Sequence, residues 1–239
     1  MACGTAWLLA ACSSYGPSAQ FYYPIDELTE GLVYAYEGTG EQAFPPHFWY
    51  YRSVIGRDST TLAATYYDAA LEPRQFTNER IVSSGALRRD LRLYAPTDSN
   101  SQQVVATVLE PAVFSFEAPD PDRLLVSAVQ WQETSFGESP ISSLTAKPPV
   151  YTVTHNRRYL RDTLVEVLGE RRTAQVWQVR ELIEQDSAGI LALDARITEV
   201  YADGLGLTHR RRVHSDGTVE AYRLVARLPM DSLVARAAE

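Results

Sequence analysis

Ile197–Leu228, ITEVYADGLGLTHRRRVHSDGTVEAYRLVARL, decides the fold class. Ile197, Glu199 and Tyr201 alternate with Thr198, Val200 and Ala202, the period-two signature of a strand with two distinct faces. Asp203-Gly204 and Gly206 supply a turn or bulge, because glycine reaches backbone angles that a β-carbon forbids. A second strand runs from Leu207 to His214 and turns at Ser215-Asp216-Gly217. The returning strand sets Tyr222, Leu224, Ala226 and Leu228 on one face. This is an antiparallel meander, and its apolar face needs a partner layer or a curved closure.

The rest of the chain repeats that grammar. Gly31–Gly38 alternates as a first strand, and the aromatic run Phe48-Trp49-Tyr50-Tyr51 opens a second after the Phe44-Pro45-Pro46-His47 turn. Thr60–Tyr67 returns from Gly56–Ser59, and Arg80–Tyr94 forms a hairpin about Ser84-Gly85. Val104–Val108, Ala112–Phe116 and Leu124–Trp131 are short strands, with polar or proline-rich loops at 95–102 and 135–149. Arg157–Leu168 fits either a helix face or a strand, and its β-branched residues before Gly169 favour a strand after a short helical turn. Ala174–Ile183 pairs with Ile190–Tyr201, and the tail from Leu228 reads as a frayed end or a weak helix. The predicted class is all-β with at most minor α: a large curved antiparallel sheet, an open half-barrel of consecutive hairpins. The domain organisation expected is a tether over 1–20 and one β domain over 21–235. Tyr66–Tyr94 and Tyr201–Val225 resemble one another loosely, so two similar halves meeting near 118–123 are a further expectation.

Composition narrows the function classes. At 239 residues, 45% hydrophobic and 22% charged, the chain can bury a full core. Fourteen tyrosines against two methionines favour strands over a helical bundle. The net charge of -8 argues against a nucleic-acid partner, whose phosphates demand a basic footprint.

Both cysteines, Cys3 and Cys12, precede the β pattern. Leu9-Ala10-Ala11-Cys12 resembles the lipobox of bacterial lipoproteins, in which the peptide is cut before a cysteine whose sulfur carries a diacylglyceryl group. Ser13–Gln20 then looks like a polar tether, and Ser13 is compatible with outer-membrane sorting. Against this stand the absence of Lys or Arg near Met1 and an apolar part of barely eight residues; a start further upstream would supply both. A Cys3–Cys12 disulfide or two incidental thiols is the alternative. The lipoprotein reading implies a membrane partner through a lipid anchor at Cys12 and a periplasm-facing position on the outer membrane.

Tyr23-Pro24-Ile25, the aromatic strand Tyr34-Ala35-Tyr36 and the corner Tyr201-Ala202-Asp203-Gly204-Leu205-Gly206-Leu207 together resemble a group of poorly characterised envelope lipoproteins of Bacteroidota. The resemblance covers most of residues 21–228, and the corner is its most specific part. It implies a strongly curved antiparallel sheet similar to the half-barrels of the Lol-pathway lipoprotein carriers, and it carries no catalytic residue.

No cofactor or metal site is expected. His209 and His214 lie five apart on one strand and so point to opposite faces, and no nucleophile elbow, P-loop or dinucleotide fingerprint occurs. Arg210-Arg211-Arg212 splits between two faces and reads as a solvated edge strand blunted against aggregation, with contact to anionic lipid as a second reading. Phe48, Tyr50, Trp131, Trp177 and Tyr201 are the candidates to line a concave groove for a lipid or hydrophobic peptide; the competing reading makes them ordinary core. The expected function is a non-enzymatic envelope lipoprotein binding a hydrophobic ligand or a partner protein. The alternatives are a structural subunit of an envelope assembly and a hydrolase using paired carboxylates, the last requiring converging acids with raised pKa values.

Overall fold

The computed structural model describes residues 15–40, 44–94, 103–132, 149–186 and 190–237. Cys12, the 95–102 loop and most of the 135–149 loop lie outside the described residues. Thirteen strands follow one another: β1 Leu32–Gly38, β2 His47–Ile55, β3 Thr60–Tyr67, β4 Pro73–Val82, β5 Gly85–Tyr94, β6 Gln103–Glu110 and β7 Ala112–Ser115 in the first half. Then come β8 Leu124–Gln132, β9 Val150–Val167, β10 Glu170–Gln185, β11 Ile190–Ala202, β12 Gly206–Val213 and β13 Val219–Leu228, with a terminal helix α1 over Met230–Ala237.

All pairings are antiparallel, consecutive strands pair except at β6 and β7, and the last strand returns to the first. Val33 opposes Leu228, Ala35 opposes Ala226 and Glu37 opposes Arg223. Strands β6 and β7 lie end to end along one edge of β5, interrupted at Pro111, so they occupy one place in the ring. The result is a closed up-and-down barrel of twelve places. The expected open half-barrel is therefore corrected, and the expected likeness to the Lol carriers, which rested on it, is not shown. The physical reason lies in β1. Leu32-Val33-Tyr34-Ala35-Tyr36 is apolar on both faces, and Val33, Tyr34, Ala35 and Tyr36 are all buried. A strand buried on both sides belongs inside a wall, not at its edge. Tyr34 and Tyr36 face the lumen core, while Val33 and Ala35 pack outward with Leu228 beneath Met230 and Leu233 of α1.

Closure also corrects the reading of Arg210–Arg212. Strand β12 is flanked by β11 and β13 and has no free edge. The split between faces holds, but Arg210 and Arg212 turn to lumenal carboxylates and only Arg211 is exposed. Arg157–Val167 is strand throughout, without the expected helical turn, and Leu168 lies in the turn that follows. Strands β3 and β11, which begin the two loosely similar stretches, run in opposite directions across the barrel.

The rim where β1 begins also carries the β2–β3, β4–β5, β9–β10 and β11–β12 turns. Here the chain before β1 enters the lumen. It makes two 3-10 turns, Ala19–Phe21 and Ile25–Leu28, and buries Ser18, Phe21, Tyr22 and Leu28. Ser18, Ala19 and Gln20, which read as tether, belong to this plug. The outer wall carries exposed Arg80, Arg89, Arg158, Arg180, Arg196 and Arg211 on six different strands. That is the inverse of a bilayer-spanning barrel, whose outer face is an apolar band around a polar interior. No helix among the described residues is long and apolar enough to cross a membrane.

Candidate functional site

The lumen is where side chains converge. At the plugged end an aromatic core forms because alternate residues of several strands point to one axis. Tyr22 lies 5.4 Å from Phe114 and 5.7 Å from Phe116, Phe114 lies 5.6 Å from Trp177 and 5.0 Å from Tyr201, and Tyr23 packs at 4.1 Å on Tyr51. Edge and tilted contacts of this kind add about 1 kcal/mol each to the burial. The plug is also hydrogen-bonded into place. Ser18 N donates to Phe116 O at 3.0 Å, Gly204 N donates to Gln20 O at 2.9 Å, Ser53 Oγ donates to Ile25 O at 2.6 Å, and Gln175 Nε2 donates to Ser18 Oγ at 3.2 Å.

The glycine corner of the sequence is the socket for this plug. Gly206 has φ +82°, and a β-carbon there would stand 2.6 Å from the Tyr23 ring. Gly204, with φ +68°, presents its N–H to the plug. The signal in the sequence was the corner itself; its partner lies about 180 residues away, beyond any local pattern.

Below the plug the lumen turns polar. Tyr22 donates to Glu79, which Arg88 also meets at 3.1 Å. Arg157 Nε donates to Glu199 at 3.2 Å and its Nη1 to Ser127 at 3.3 Å; Tyr201 donates to Glu199 at 3.1 Å, with Arg210 at 4.0 Å. His155 meets Glu181 at 2.7 Å, and Arg212 meets the other oxygen of that carboxylate. Burial pushes the Glu181 carboxyl up, but the His155 hydrogen bond and the Arg212 and Arg210 charges outweigh it and bring the pKa down to about 2. Burial likewise opposes ionisation of Glu199, and Arg157 and then Arg210 overcome it, so its pKa is lowered. Burial with the Glu199 charge raises the Tyr201 hydroxyl. These carboxylates are held as anions, whereas a general acid needs the opposite shift.

Sequence reasoning missed Tyr22, Glu79, Arg157, Glu181 and Glu199. Alternation marks two faces of each strand but not which one is inside, and a charged residue is by default assigned to water.

The aromatic candidates do not share one surface. Trp177 and Tyr201 lie in the lumenal core against Phe114. Trp131 stacks on Tyr151 towards the opposite end, in an apolar cluster with Leu93, Val108 and Ile183. Phe48 and Tyr50 point outward and pack with the cluster under α1. At the plugged mouth a cavity of about 20 Å³ lies beside Ser115, Leu125 and Trp177, room for a single water. On the outer wall an open groove runs between Leu124, Asn156, Arg158, Gln178, Arg180 and Arg196. Among the described residues no cluster of His, Cys, Asp and Glu has the makings of a metal site.

No protein-family model matches this chain, and no curated protein matches it. Two solved structures are similar. One, from Bacteroides fragilis, is described as an exported protein with a YmcC-like fold; it is 11% identical, with TM-score 0.52, over 87% of this chain and 99% of its own. The other, described as a lipoprotein from Parabacteroides distasonis, is 8% identical, with TM-score 0.46, over 85% of this chain and 95% of its own. At these identities the first likeness establishes that the all-β architecture recurs in another protein, and nothing further.

Proposed function

We propose that this chain is a non-enzymatic envelope lipoprotein, anchored by a diacylglyceryl group on Cys12 in the periplasmic leaflet of an outer membrane, whose barrel serves as a rigid platform for a partner protein. The observation that carries this reading is the plug. The chain's own Phe21, Tyr22 and Leu28 fill the aromatic end of the lumen, so no acyl chain or peptide has room there. A platform needs a wall that is stiff and wettable, and the closed ladder with its arginine-bearing outer face is both. The wall groove around Arg158 and Arg196 is a surface for an acidic partner segment. The Glu181 and Glu199 carboxylates, each held ionised by arginine, support a structural role over hydrolysis.

The test is the intact mass of the membrane-extracted protein expressed from its native upstream region, followed by crosslinking of the extracted material. A chain starting at Cys12 and carrying the lipid, with the modification lost in Cys12→Ala, and a stoichiometric crosslinked protein are the expected results. An unmodified chain overturns the anchor.

A second reading follows from the opposite end of the lumen, as its described residues line it. There Leu93, Val108, Trp131 and Ile183 are only half-buried and apolar, so a hydrophobic ligand entering from that side would meet a ready surface. Organic extraction and mass spectrometry of the purified protein would reveal such a lipid; Trp131→Ser would release it.

A further inference from the structure

Among the described residues, the two rims of the barrel differ in what they expose. Strands β9 and β10 outrun their neighbours at the plugged rim. Strand β8 begins at Leu124, opposite Arg158, and β11 ends at Ala202, opposite Ala174. Beyond these points β9 and β10 pair only with each other, as far as Val167 opposite Glu170. This two-stranded ribbon projects from the wall by about 15 Å, at roughly 3.3 Å per residue. Val167 turns inward onto the aromatic core with Val165 beside it, while Leu164 stands 53% exposed on the other face.

Leu168 is 41% exposed at the tip of this ribbon, and Leu160 is 41% exposed at its base, on β9 beyond the start of β8. Leu168 is also one of two non-glycine residues with positive φ among the described residues, at +53°. A leucine in left-handed backbone at a hairpin tip carries a steric cost that Gly169, beside it, does not. Around the rest of this rim stand exposed Val54 and Ile55 at the end of β2 and Leu124 at the start of β8. The other exposed large hydrophobics of the described residues, apart from Tyr15, are Val105 and Leu109 on β6 and Val234 on α1, which packs on the outer wall.

The chain before the plug leaves at this rim. Tyr15 packs its ring 5.5 Å from Phe116, and Gly16 lies against the Phe116 carbonyl. Cys12 is three residues from Tyr15, a reach of at most about 11 Å along an extended chain. A lipid on Cys12 therefore holds the bilayer surface within that distance of the apolar rim.

We propose that the plugged rim is a membrane-docking surface, with Leu160, Leu164 and Leu168 of the β9–β10 ribbon inserting into the leaflet that carries the Cys12 anchor. The choice of a bilayer as occupant rests on the lipoprotein reading above, and on the tether being too short to let the barrel stand clear. The contact is apolar in origin. Arg161, Arg171 and Arg172 on the ribbon and its base are matched by Asp162, Glu166 and Glu170. Docking is accordingly insensitive to the fraction of anionic lipid and to salt. It sets the barrel axis along the membrane normal, so the opposite rim and the wall groove face the aqueous compartment.

The experiment places an environment-sensitive fluorophore at Leu168→Cys or, on the far rim, at Asp216→Cys, in the anchored chain reconstituted into phosphatidylethanolamine–phosphatidylglycerol vesicles containing nitroxide-labelled lipid. The probe at 168 is expected to lose most of its emission and the probe at 216 to keep it. Replacing Leu160 and Leu164 by Ser should relieve the quenching at 168. An unquenched 168 probe on a chain whose mass includes the diacylglyceryl group overturns docking and leaves the anchor standing. If the mass lacks the lipid, the anchor reading falls, and the same probes in a Cys3→Ser/Cys12→Ser chain added to the vesicles decide docking alone: quenching at 168 sustains it, and none overturns it. Concentration-dependent dimerisation that is lost on Leu164→Ser/Leu168→Ser would assign the rim to a second copy of the chain and also overturn it.

Discussion

His47 sits at the start of β2, stacked at 5.1 Å on Tyr36 and edge-on at 4.4 Å to Tyr222. Burial, reinforced by the Arg210 charge, lowers its pKa from 6.5 to about 4. Between those values the unfolded chain binds a proton that the folded chain refuses, so stability falls as the pH drops through that window. The loss reaches at most about 3 kcal/mol when the pH reaches the folded value. Urea unfolding at pH 7 and pH 4.5 should show a smaller difference for His47→Phe than for the parent; equal differences would refute the assignment. Gly206 gives a second residue-scale expectation. Gly206→Ala adds a methyl at positive φ and drives it into the Tyr23 ring, costing about 2 kcal/mol or more by strain and overpacking together. Its measurable mark beyond lower stability is loosened protection of the plug amides in hydrogen exchange. The glycines themselves were legible as a corner in the sequence, because only turns and bulges need their backbone angles. That the corner receives a plug was not legible, since Tyr23 and Gly206 meet only after the whole ring has closed.

At the scale of elements, β9, β10, β11 and β12 are tied through the lumen as well as through their ladders. Arg157 on β9 reaches Glu199 on β11 over the intervening β10. Both partners are buried, and removing one leaves an uncompensated charge in the barrel. Glu199→Leu or Arg157→Met alone should therefore cost about 3–5 kcal/mol, whereas the double change Arg157→Met/Glu199→Leu should cost clearly less than either single variant. Chemical denaturation of the four proteins in a cycle checks this, and additive losses would show that the pair is not coupled. The sequence made the two faces of each of these strands readable, as with Arg210 and Arg212 against Arg211. It did not identify the inner face, because a charged residue paired inside a lumen and one bathed in water produce the same alternation. The same ambiguity explains the misreading of β12 as an edge: charge on a strand signals an edge only where a neighbour is missing, and both neighbours here are present.

For the whole molecule, the decisive pairing joins the first strand to the last. Alternation predicted each hairpin in turn, and an open curved sheet follows from hairpins alone; whether the sheet meets itself depends on summed twist and tilt over all the strands, which no local window contains. The apolar double face of β1 is the one local clue that it had to be covered on both sides. Ending the chain after Thr218 removes β13 and α1, uncovers the facing edges of β1 and β12, and strips the outer cover from Val33 and Ala35. Unpaired edges of that length template association with other chains, so the 1–218 fragment should be recovered as aggregate or as soluble oligomer without a cooperative thermal transition. Ending it after Pro229 removes only α1, exposing the outward patch that Met230 and Leu233 cover. That variant should stay monomeric and cooperative, destabilised by about 2–4 kcal/mol from the two lost apolar side chains. Sedimentation velocity with thermal unfolding by circular dichroism separates the two cases. A monomeric, cooperatively melting 1–218 fragment would mean that the β1–β13 seam is dispensable and that the wall is held by its consecutive hairpins and its plug.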